Sequence, residues 1–298
     1  MRKFAALPVL LFLVLACVAA GCGGSSSKSS ENSGGTQTVT SSCAKDNLNL
    51  VNTDQLTIGT DNPAYPPWFG GPEKAPWKVS DPRSGQGFES AVAYAVAKQL
   101  GFSRNDVRWV VVPFNTAFAP GKKKFDFDIN EISYTPARAK AVDFSKSYYD
   151  VNQAVVGLAS RPIAKTKSIT DLKRYKLGAQ LGTTSYDYIV NNIKPSQKAA
   201  VYDTNDAAVQ ALKNKQIDGL VVDLPTAFYV TAAQVPGSKI VGQFPTSGTP
   251  EHFGMVFAKG NPLVRCVDGA LDKLKANGTL AALREKWLAK AGGAPVLK

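Results

Sequence analysis

The chain has 298 residues, of which 44% are hydrophobic and 19% are charged, and this composition excludes a wholly disordered or collagen-like protein. Lysine and arginine total 35 against 23 aspartates and glutamates, a net charge of +12 that suits an anionic partner such as nucleic acid or a lipid surface. A single histidine, His252, and the lack of any Cys-x-x-Cys pair exclude a histidine-clustered metal site and a thiol-based zinc or redox site. We therefore expect no metal and no cofactor.

The N-terminal segment has the pattern of a secretory signal peptide. Arg2 and Lys3 precede an apolar run from Leu7 to Val18 that is too short to span a membrane, and small residues then lead to Cys22. This pattern is similar to a bacterial lipobox, so we expect removal of residues 1–21 and lipidation of Cys22. Ordinary cleavage beside an incidental cysteine is the alternative. Loss of the two basic residues leaves 33 Lys and Arg against 23 acids, a net +10, so the signal does not explain the basic excess.

Residues 22–45 are predicted to hold the lipidated cysteine and a flexible tether, because the stretch from about 23 to 42 is rich in glycine, serine and threonine and has almost nothing to bury. A tether behind a lipid anchor keeps a folded domain at the outer face of the cell membrane. Cys43 and Cys266 remain, and an exported chain can oxidise such a pair. We predict a Cys43–Cys266 disulfide, with two free thiols as the alternative.

From residue 56 onwards, short β-type runs alternate with amphipathic segments. The last two helical patterns are separated at Asn277-Gly278, where glycine can close a helix in the left-handed conformation. The alternation predicts an α/β layered fold with two α/β units and no clear sequence repeat. Predicted strands cover 56–59, 107–112, 176–180 and 220–222, and predicted helices cover 88–100, 184–193, 206–213, 263–276 and 279–289.

Four groups of local motifs stand in the order typical of one family. They are Gly59-Thr60-Asp61 followed by 65–69 (YPPWF); Gly87-Phe88-Glu89; 133–138 (SYTPAR) with 142–145 (VDFS) and Tyr148-Tyr149; and 182–185 (GTTS) with Val222-Asp223. With these motifs, the region 56–290 resembles the polar amino-acid substrate-binding proteins of ABC importers, of the solute-binding protein family 3 type.

The resemblance implies a type II periplasmic-binding-protein fold, in which two α/β lobes are joined by two crossing strands and close over a ligand in the cleft. We expect lobe 1 to comprise 46–152 and 252–298, lobe 2 to comprise 153–251, and the crossings to lie near 151–158 and 251–258. A free amino acid is the implied ligand, and the permease subunits of an ABC importer are the implied partners. We expect a monomer that is exported, anchored to the outer face of the cell membrane or periplasmic, and not an enzyme.

Arg138 is predicted to bind the carboxylate of the ligand. Its planar guanidinium can donate two parallel hydrogen bonds, and it matches the carboxylate-binding arginine of the family. The Gly182-Thr183-Thr184 turn lies where a strand passes into a helix, so free N–H groups and a hydroxyl can hold the same carboxylate from the second lobe. A plain turn in which Thr184 caps the helix is the alternative.

Asp223 follows an apolar run at the carboxyl end of a predicted strand, where ligands collect in open α/β sheets. It matches the family's partner for the α-ammonium group, and capping of the next helix is the alternative. Tyr65, Trp68 and Phe114 are predicted to form aromatic walls of the site. For Trp68 and Phe114, packing in the core is the alternative.

Asp61 matches a family position that faces the side chain of the ligand, although this chain has one extra residue before Tyr65. Glu131, with Ile132 and Ser133, lies where many relatives carry small residues. Two carboxylates repel unless a positive charge lies between them, so Asp61 and Glu131 together predict a ligand with a cationic side chain such as lysine or arginine. The alternatives are that Glu131 pairs with a structural Lys or Arg, or that it holds the ligand's ammonium together with Asp223.

Two other function classes compete with import. A secreted dehydratase of the same fold would use Glu131 as a general acid. The hypothesis that the protein binds nucleic acid is supported only by the net charge. Basic runs such as Lys122-Lys123-Lys124 are not interleaved with aromatic residues in any recognition motif. We therefore expect a binding protein, with the dehydratase as the alternative and with no nucleic-acid partner.

Overall fold

The computed structural model describes residues 43–246, 248–289 and 293–298. The predicted signal peptide (1–21), the predicted lipidation site Cys22 and most of the predicted tether lie outside these residues. Within the described part of the chain, no helix has the length and apolarity that a membrane crossing requires.

Strands and helices alternate along the described chain. The strands are β1 (Leu56–Thr60), β2 (Val107–Val111), β3 (Phe127–Asp128), β4 (Val142–Phe144), β5 (Tyr149–Asp150), β6 (Gln153–Leu158), β7 (Leu177–Gln180), β8 (Ala200–Tyr202), β9 (Gly219–Asp223), β10 (Ser238–Gln243), β11 (His252–Phe253) and β12 (Val256–Ala258). The α-helices are α1 (Phe88–Gln99), α2 (Phe114–Ala117), α3 (Thr184–Tyr188), α4 (Asn205–Lys213), α5 (Leu224–Tyr229), α6 (Leu263–Ala276) and α7 (Thr279–Leu288).

The first sheet has five strands in the order β2-β1-β3-β12-β4. β1 is parallel to β2 and β3, whereas β12 is antiparallel to β3 and β4. Helix α1 buries Phe88, Val92 and Val96, which recur at helical spacing, and α6 and α7 pack into the same core. The helix ends before Gly101, whose φ of +88° favours glycine.

The second sheet has the order β10-β6-β9-β7-β8, and all its strands come from one continuous part of the chain. Because β12 of the first sheet lies beyond that part, the chain passes between the sheets twice. The two passages lie side by side: β5 pairs antiparallel with β11, and the N–H of Val151 donates to the carbonyl of Glu251 at 2.9 Å. This confirms the predicted fold of two α/β lobes joined by two crossing strands.

The predicted helices and strands are found with small shifts at their ends. The helix predicted over 184–193 is α-helical only as far as Tyr188 and continues over Ile189–Ile193 with wider π-type turns. Helix α6 has the predicted bounds, and Gly278, with φ of +79°, separates it from α7.

The end of the chain departs from the predicted assignment of 252–298 to lobe 1. Val296 forms a parallel β-bridge with Gln243, and Leu297 packs in the core of the second sheet beside Val241 and Phe244. Leu297 finds buried partners there, which the sequence pattern after the last helix does not indicate. The other lobe boundaries stay a prediction.

Cys43 and Cys266 form the predicted disulfide, with Cα atoms 5.5 Å apart and a sequence separation of 223. Cross-linking over so long a loop restricts the unfolded chain. We expect replacement of both cysteines by serine to lower the free energy of unfolding by about 2–5 kcal/mol, as measured by urea denaturation. The wild type should lose stability in reductant, whereas the double variant should not respond. An unchanged unfolding midpoint in the variant would contradict the expected stabilisation.

Candidate functional site

A cavity of about 180 Å³ lies between the two sheets. Its lining residues follow the carboxyl ends of strands: Asp61 follows β1, Phe114 follows β2, Glu131 follows β3 and Thr183 follows β7, while Asp223 is the last residue of β9. Segments at the carboxyl ends of parallel strands meet at one edge of a sheet. Two such edges facing each other therefore bring residues that are distant in sequence into one cleft.

Most of the predicted ligand-binding residues line this cavity. Their binding roles stay predictions. The lining residues that the sequence predicted are Asp61, Tyr65, Phe114, Glu131, Ser133, Arg138, Thr183, Thr184 and Asp223.

Trp68 and Ile132 are corrected by the structure. Trp68 is 1% exposed and packs edge-on against three aromatic rings of the first core, so it is a core residue and not a wall of the cavity. Its indole N–H donates to Thr226 Oγ1 at 2.9 Å. Ile132 is fully buried in an apolar cluster under the first sheet. Both side chains bury apolar surface more favourably in the core than in a polar cleft.

Arg138 brings a positive charge to the cavity. Its guanidinium donates to the carbonyl of Ser133 and to the carbonyl of Gly182, both at 2.6 Å, and lies 4.3 Å from the ring centroid of Phe118. Burial lowers the pKa of Arg138 to about 10, so it stays protonated at neutral pH. Among the described residues, no ion pair includes Arg138. The guanidinium is therefore a partner for an anion that enters the cleft.

The turn after β7 requires glycine. Gly182 has a φ of +76°, and a Cβ atom there would collide with the side chain of Asn115. Helix α3 is capped by Thr183, whose Oγ1 accepts from the N–H of Tyr186 at 3.1 Å. The interpretation of Thr184 as the cap is thus wrong, and its hydroxyl bonds elsewhere.

Asp223 caps a helix, as the alternative predicted, and its position beside the cavity leaves the ammonium-binding role a prediction. Its Oδ1 accepts from the N–H of Thr226 at 2.8 Å and caps α5, while the residue also lines the cavity. Burial raises the pKa of Asp223 to about 6, and the charge of Glu251 adds to this effect. A cation placed beside Asp223 would favour its ionised form.

Glu131 lies among acids. Its N–H donates to Glu89 Oε1 at 2.7 Å, and its Oε2 accepts from Thr226 Oγ1 at 3.2 Å. Burial, followed by the charges of Asp223 and Glu89, raises the pKa of Glu131 well above its ordinary value. The ion pairs of the described residues do not include Glu131, so the alternative of pairing with a structural Lys or Arg is not found there.

Glu89 connects this acidic group to the interior. Its side chain is fully buried and accepts from the hydroxyl of Tyr148 as well as from Glu131. Burial raises the pKa of Glu89 to about 8. The motif Gly87-Phe88-Glu89, which helped to identify the family, therefore supplies a carboxyl group behind the cavity wall.

The far side of the cavity holds a second acidic pair. The hydroxyl of Tyr65 donates to Asp206 of the second lobe, and the rings of Tyr65 and Tyr229 lie 5.9 Å apart. Burial raises the pKa of Asp61, and the charge of Asp206 contributes to the shift. Asp206 was not predicted, because an aspartate in the first turn of a helix is common for reasons of local electrostatics.

Other lining residues carried no signal in the sequence pattern. They are polar or small side chains that become neighbours only when the two sheets face each other, namely Asn62, Asn130, Gln153, Gln180, Ser185, Thr204, Asn205, Thr226, Tyr229 and Gln234. No group of three metal-ligating side chains is found in the described ranges of the chain.

Comparison with known proteins agrees with this geometry. Residues 56–290 match the bacterial extracellular solute-binding proteins, family 3. The L-cystine-binding protein TcyJ of Escherichia coli (strain K12) is 29% identical over 216 residues, which cover 71% of this chain and 76% of that protein. The ABC transporter arginine-binding protein 1 of the same organism is 31% identical over 211 residues, with coverage of 67% and 81%.

A solved structure of an ancestral arginine-binding protein bound to arginine gives a TM-score of 0.64 at 31% identity, covering 79% of this chain and 98% of that chain. The family match spans both sheets, both crossing segments and every residue that lines the cavity. The chain therefore belongs to the bacterial extracellular solute-binding proteins of family 3.

Proposed function

We propose that this protein binds a free amino acid with a cationic side chain outside the cytoplasm and delivers it to the permease of an ABC importer. One observation carries the proposal: a single cavity between the lobes is lined by the guanidinium of Arg138 and by four carboxyl groups, those of Asp61, Glu131, Asp206 and Asp223. A buried charge needs a partner of opposite sign. A ligand with one carboxylate and two positive groups provides such partners for both the guanidinium and the carboxyl groups.

The charges suggest how such a ligand lies. Its carboxylate pairs with Arg138, and its α-ammonium lies by Asp223 and Glu131 on the other side. The side chain then extends between Tyr65 and Phe114 towards Asp61, since aromatic faces attract a cation. One relative is named an arginine-binding protein, and arginine has a cationic side chain, which supports this ligand class.

The cellular setting is part of the same proposal. Cys22 carries a lipid anchor, and the tether keeps the folded part, a monomer, near the permease at the outer face of the membrane. Closure of two lobes over the ligand presents a changed surface to the permease. A mass spectrum of the mature N-terminus tests the anchor, because a diacylglyceryl cysteine adds the mass of its acyl chains.

A thermal scan against the twenty amino acids tests the function. A ligand that binds only the folded state stabilises it by about 2.7 kcal/mol at a hundredfold excess over Kd, so the melting temperature rises. We expect the largest rises with L-arginine and L-lysine. If acidic amino acids raise the melting temperature and both basic ones do not, the proposed ligand class is wrong.

Glu131→Gln tests the role of the acidic group. We expect about tenfold weaker binding of L-arginine, because a charge-assisted hydrogen bond to the cation is lost. The ligand-free variant should melt at a higher temperature, since a neutral amide replaces a carboxyl group that its acidic neighbours repel. Glu285→Gln, on the exposed face of α7, is the matched control and should change neither property. Unchanged affinity in Glu131→Gln would show that Glu131 faces no cation.

A dehydratase remains the second candidate on one observation, the raised pKa of Glu131, since a general acid must carry a proton at neutral pH. The named relatives are binding proteins, which supports the first candidate. Incubation with a prephenate-like acid separates the two. Turnover of that acid would make the protein an enzyme, whereas recovery of an unchanged amino acid after a thermal shift supports binding.

A further inference from the structure

Glu251 accepts three side-chain hydrogen bonds at the place where the lobes meet. Its Oε1 accepts from Ser133 Oγ at 2.5 Å, from Thr184 Oγ1 at 2.6 Å and from Gln153 Nε2 at 3.0 Å. Ser133 belongs to the first lobe, Thr184 to the second, and Gln153 to the first crossing strand. Glu251 itself lies on the other crossing segment, where its carbonyl accepts from Val151. One carboxylate thus contacts both lobes and the first crossing strand.

These bonds fix the polarity of two hydroxyl groups that line the cavity. A serine or threonine hydroxyl has one proton to donate and two lone pairs. Because Ser133 and Thr184 both donate to Glu251, each oxygen can only accept a further hydrogen bond, and Thr184 Oγ1 already accepts one from Gln153 Nε2 at 3.5 Å. The two oxygens are 3.3 Å apart, so a single donor group can reach both. Gln153 is held as well, since its Oε1 accepts from Ser185 at 2.6 Å.

An acceptor pair of this kind does not suit the carboxylate of the ligand. A carboxylate accepts hydrogen bonds and has no proton to give, so it would face two oxygen lone pairs. An ammonium group has three protons and suits them well. The sequence pattern placed the hydroxyl of Thr184 with the carboxylate, because the pattern does not show that Glu251 takes its proton.

Resting on the proposed function, we propose that Glu251 is a positioning residue that selects an α-ammonium group by turning the hydroxyls of Ser133 and Thr184 into acceptors. The ammonium donates to these two oxygens and to Asp223, which opposes Gln153 in the neighbouring strand. The carboxylate is left to Arg138. Glu251 does not touch the ligand in this arrangement, and its charge further favours a cation at this end of the cavity.

The test compares an amino acid with its 2-hydroxy acid analogue, in which a hydroxyl replaces the α-ammonium. The probe is the amino acid that gives the wild type its largest thermal shift, and Kd is measured by calorimetry. The wild type should bind the amino acid much more tightly. Glu251→Gln removes the negative charge, so the two hydroxyls would donate to a neutral amide oxygen through weaker hydrogen bonds and would be held less firmly as acceptors. The ratio of the two Kd values should therefore fall about tenfold.

A merely structural role predicts a different result. Glu251→Gln would then weaken the binding of the amino acid and of its 2-hydroxy acid equally, and the ratio of the two Kd values would not change. That outcome would overturn the proposal. Glu285→Gln is the matched control and should keep both Kd values. If the wild type binds no amino acid at all, the proposed function fails, and this result is distinct from an unchanged ratio.

Thr184→Val gives a second test that does not depend on the folding of the Glu251 variant. Valine keeps the shape of threonine and removes the acceptor, so the ratio should again fall. Thr184→Val should change the ratio less in the Glu251→Gln protein than in the wild type, because the two residues act through one hydroxyl. An unchanged ratio in Thr184→Val, or full additivity of the two changes, would contradict the role of Glu251.

Discussion

Arg138→Ala is expected to lower the affinity for every amino acid that the wild type binds by at least about thirtyfold. The ligand's carboxylate would then be buried without a partner of opposite charge, a loss of about 2–5 kcal/mol for a desolvated pair, or about thirtyfold to several thousandfold in Kd. In the described part of the chain, every other charged group that lines the cavity is acidic. No neighbouring residue can therefore replace the guanidinium. Calorimetric titration with L-arginine and L-lysine measures the effect.

Arg138→Lys is the matched control. Lysine keeps the charge but cannot donate two parallel hydrogen bonds. We therefore expect the affinity of Arg138→Lys to lie between the affinities of the wild type and of Arg138→Ala. Melting curves of the ligand-free variants are needed as well, because the guanidinium also joins the carbonyls of Ser133 and Gly182 across the lobes. An Arg138→Ala protein that melts normally and binds within tenfold of the wild type would refute the carboxylate anchor.

The positions of Arg138 and Asp223 in the cleft could be predicted because each residue belongs to a local sequence pattern. Arg138 follows a family motif, and Asp223 ends an apolar strand where α/β folds bind their ligands. Trp68 belongs to the same motif as Tyr65, yet it packs into the core, since the direction of a side chain in an irregular segment is set by packing. Ile132 stands between two lining residues and points the opposite way.

The contacts between distant segments could not be predicted. Asp206 and Glu251 lie in patterns that are ordinary for a helix start and a crossing segment, and their partners Tyr65, Ser133 and Thr184 are far away in sequence. Hydrogen bonds of this kind depend on how two sheets face each other, which periodicity does not encode. For the same reason the sequence showed that Glu131 departs from its relatives but not that Glu89 lies behind it.

The ligand-free protein is expected to become less stable as the pH rises from about 4 to about 8. The carboxyl groups of Asp223 and Glu89 have pKa values raised to about 6 and about 8, and that of Glu131 is also raised. In an unfolded chain such groups ionise near pH 4. Between these values the folded state binds more protons, so the free energy of unfolding falls with rising pH. The stabilisation is complete at pH values below the pKa values that these groups have in the unfolded chain. It is lost at pH values above the pKa values that they have in the folded protein.

Binding of a cationic ligand has the opposite dependence on pH. The ligand favours the ionised forms of Asp223 and Glu131, so its binding releases protons, and the affinity for L-arginine should fall when the pH is lowered from about 8 to about 5. Calorimetry in two buffers with different heats of ionisation counts the released protons, and Glu131→Gln should reduce that number. An affinity independent of pH, with no proton release, would mean that these carboxyl groups do not face the ligand's positive charge. The carboxyl groups of Glu89, Glu131 and Asp223 would then have a structural role in the fold, and the preference for cations would depend on Asp61 and Asp206.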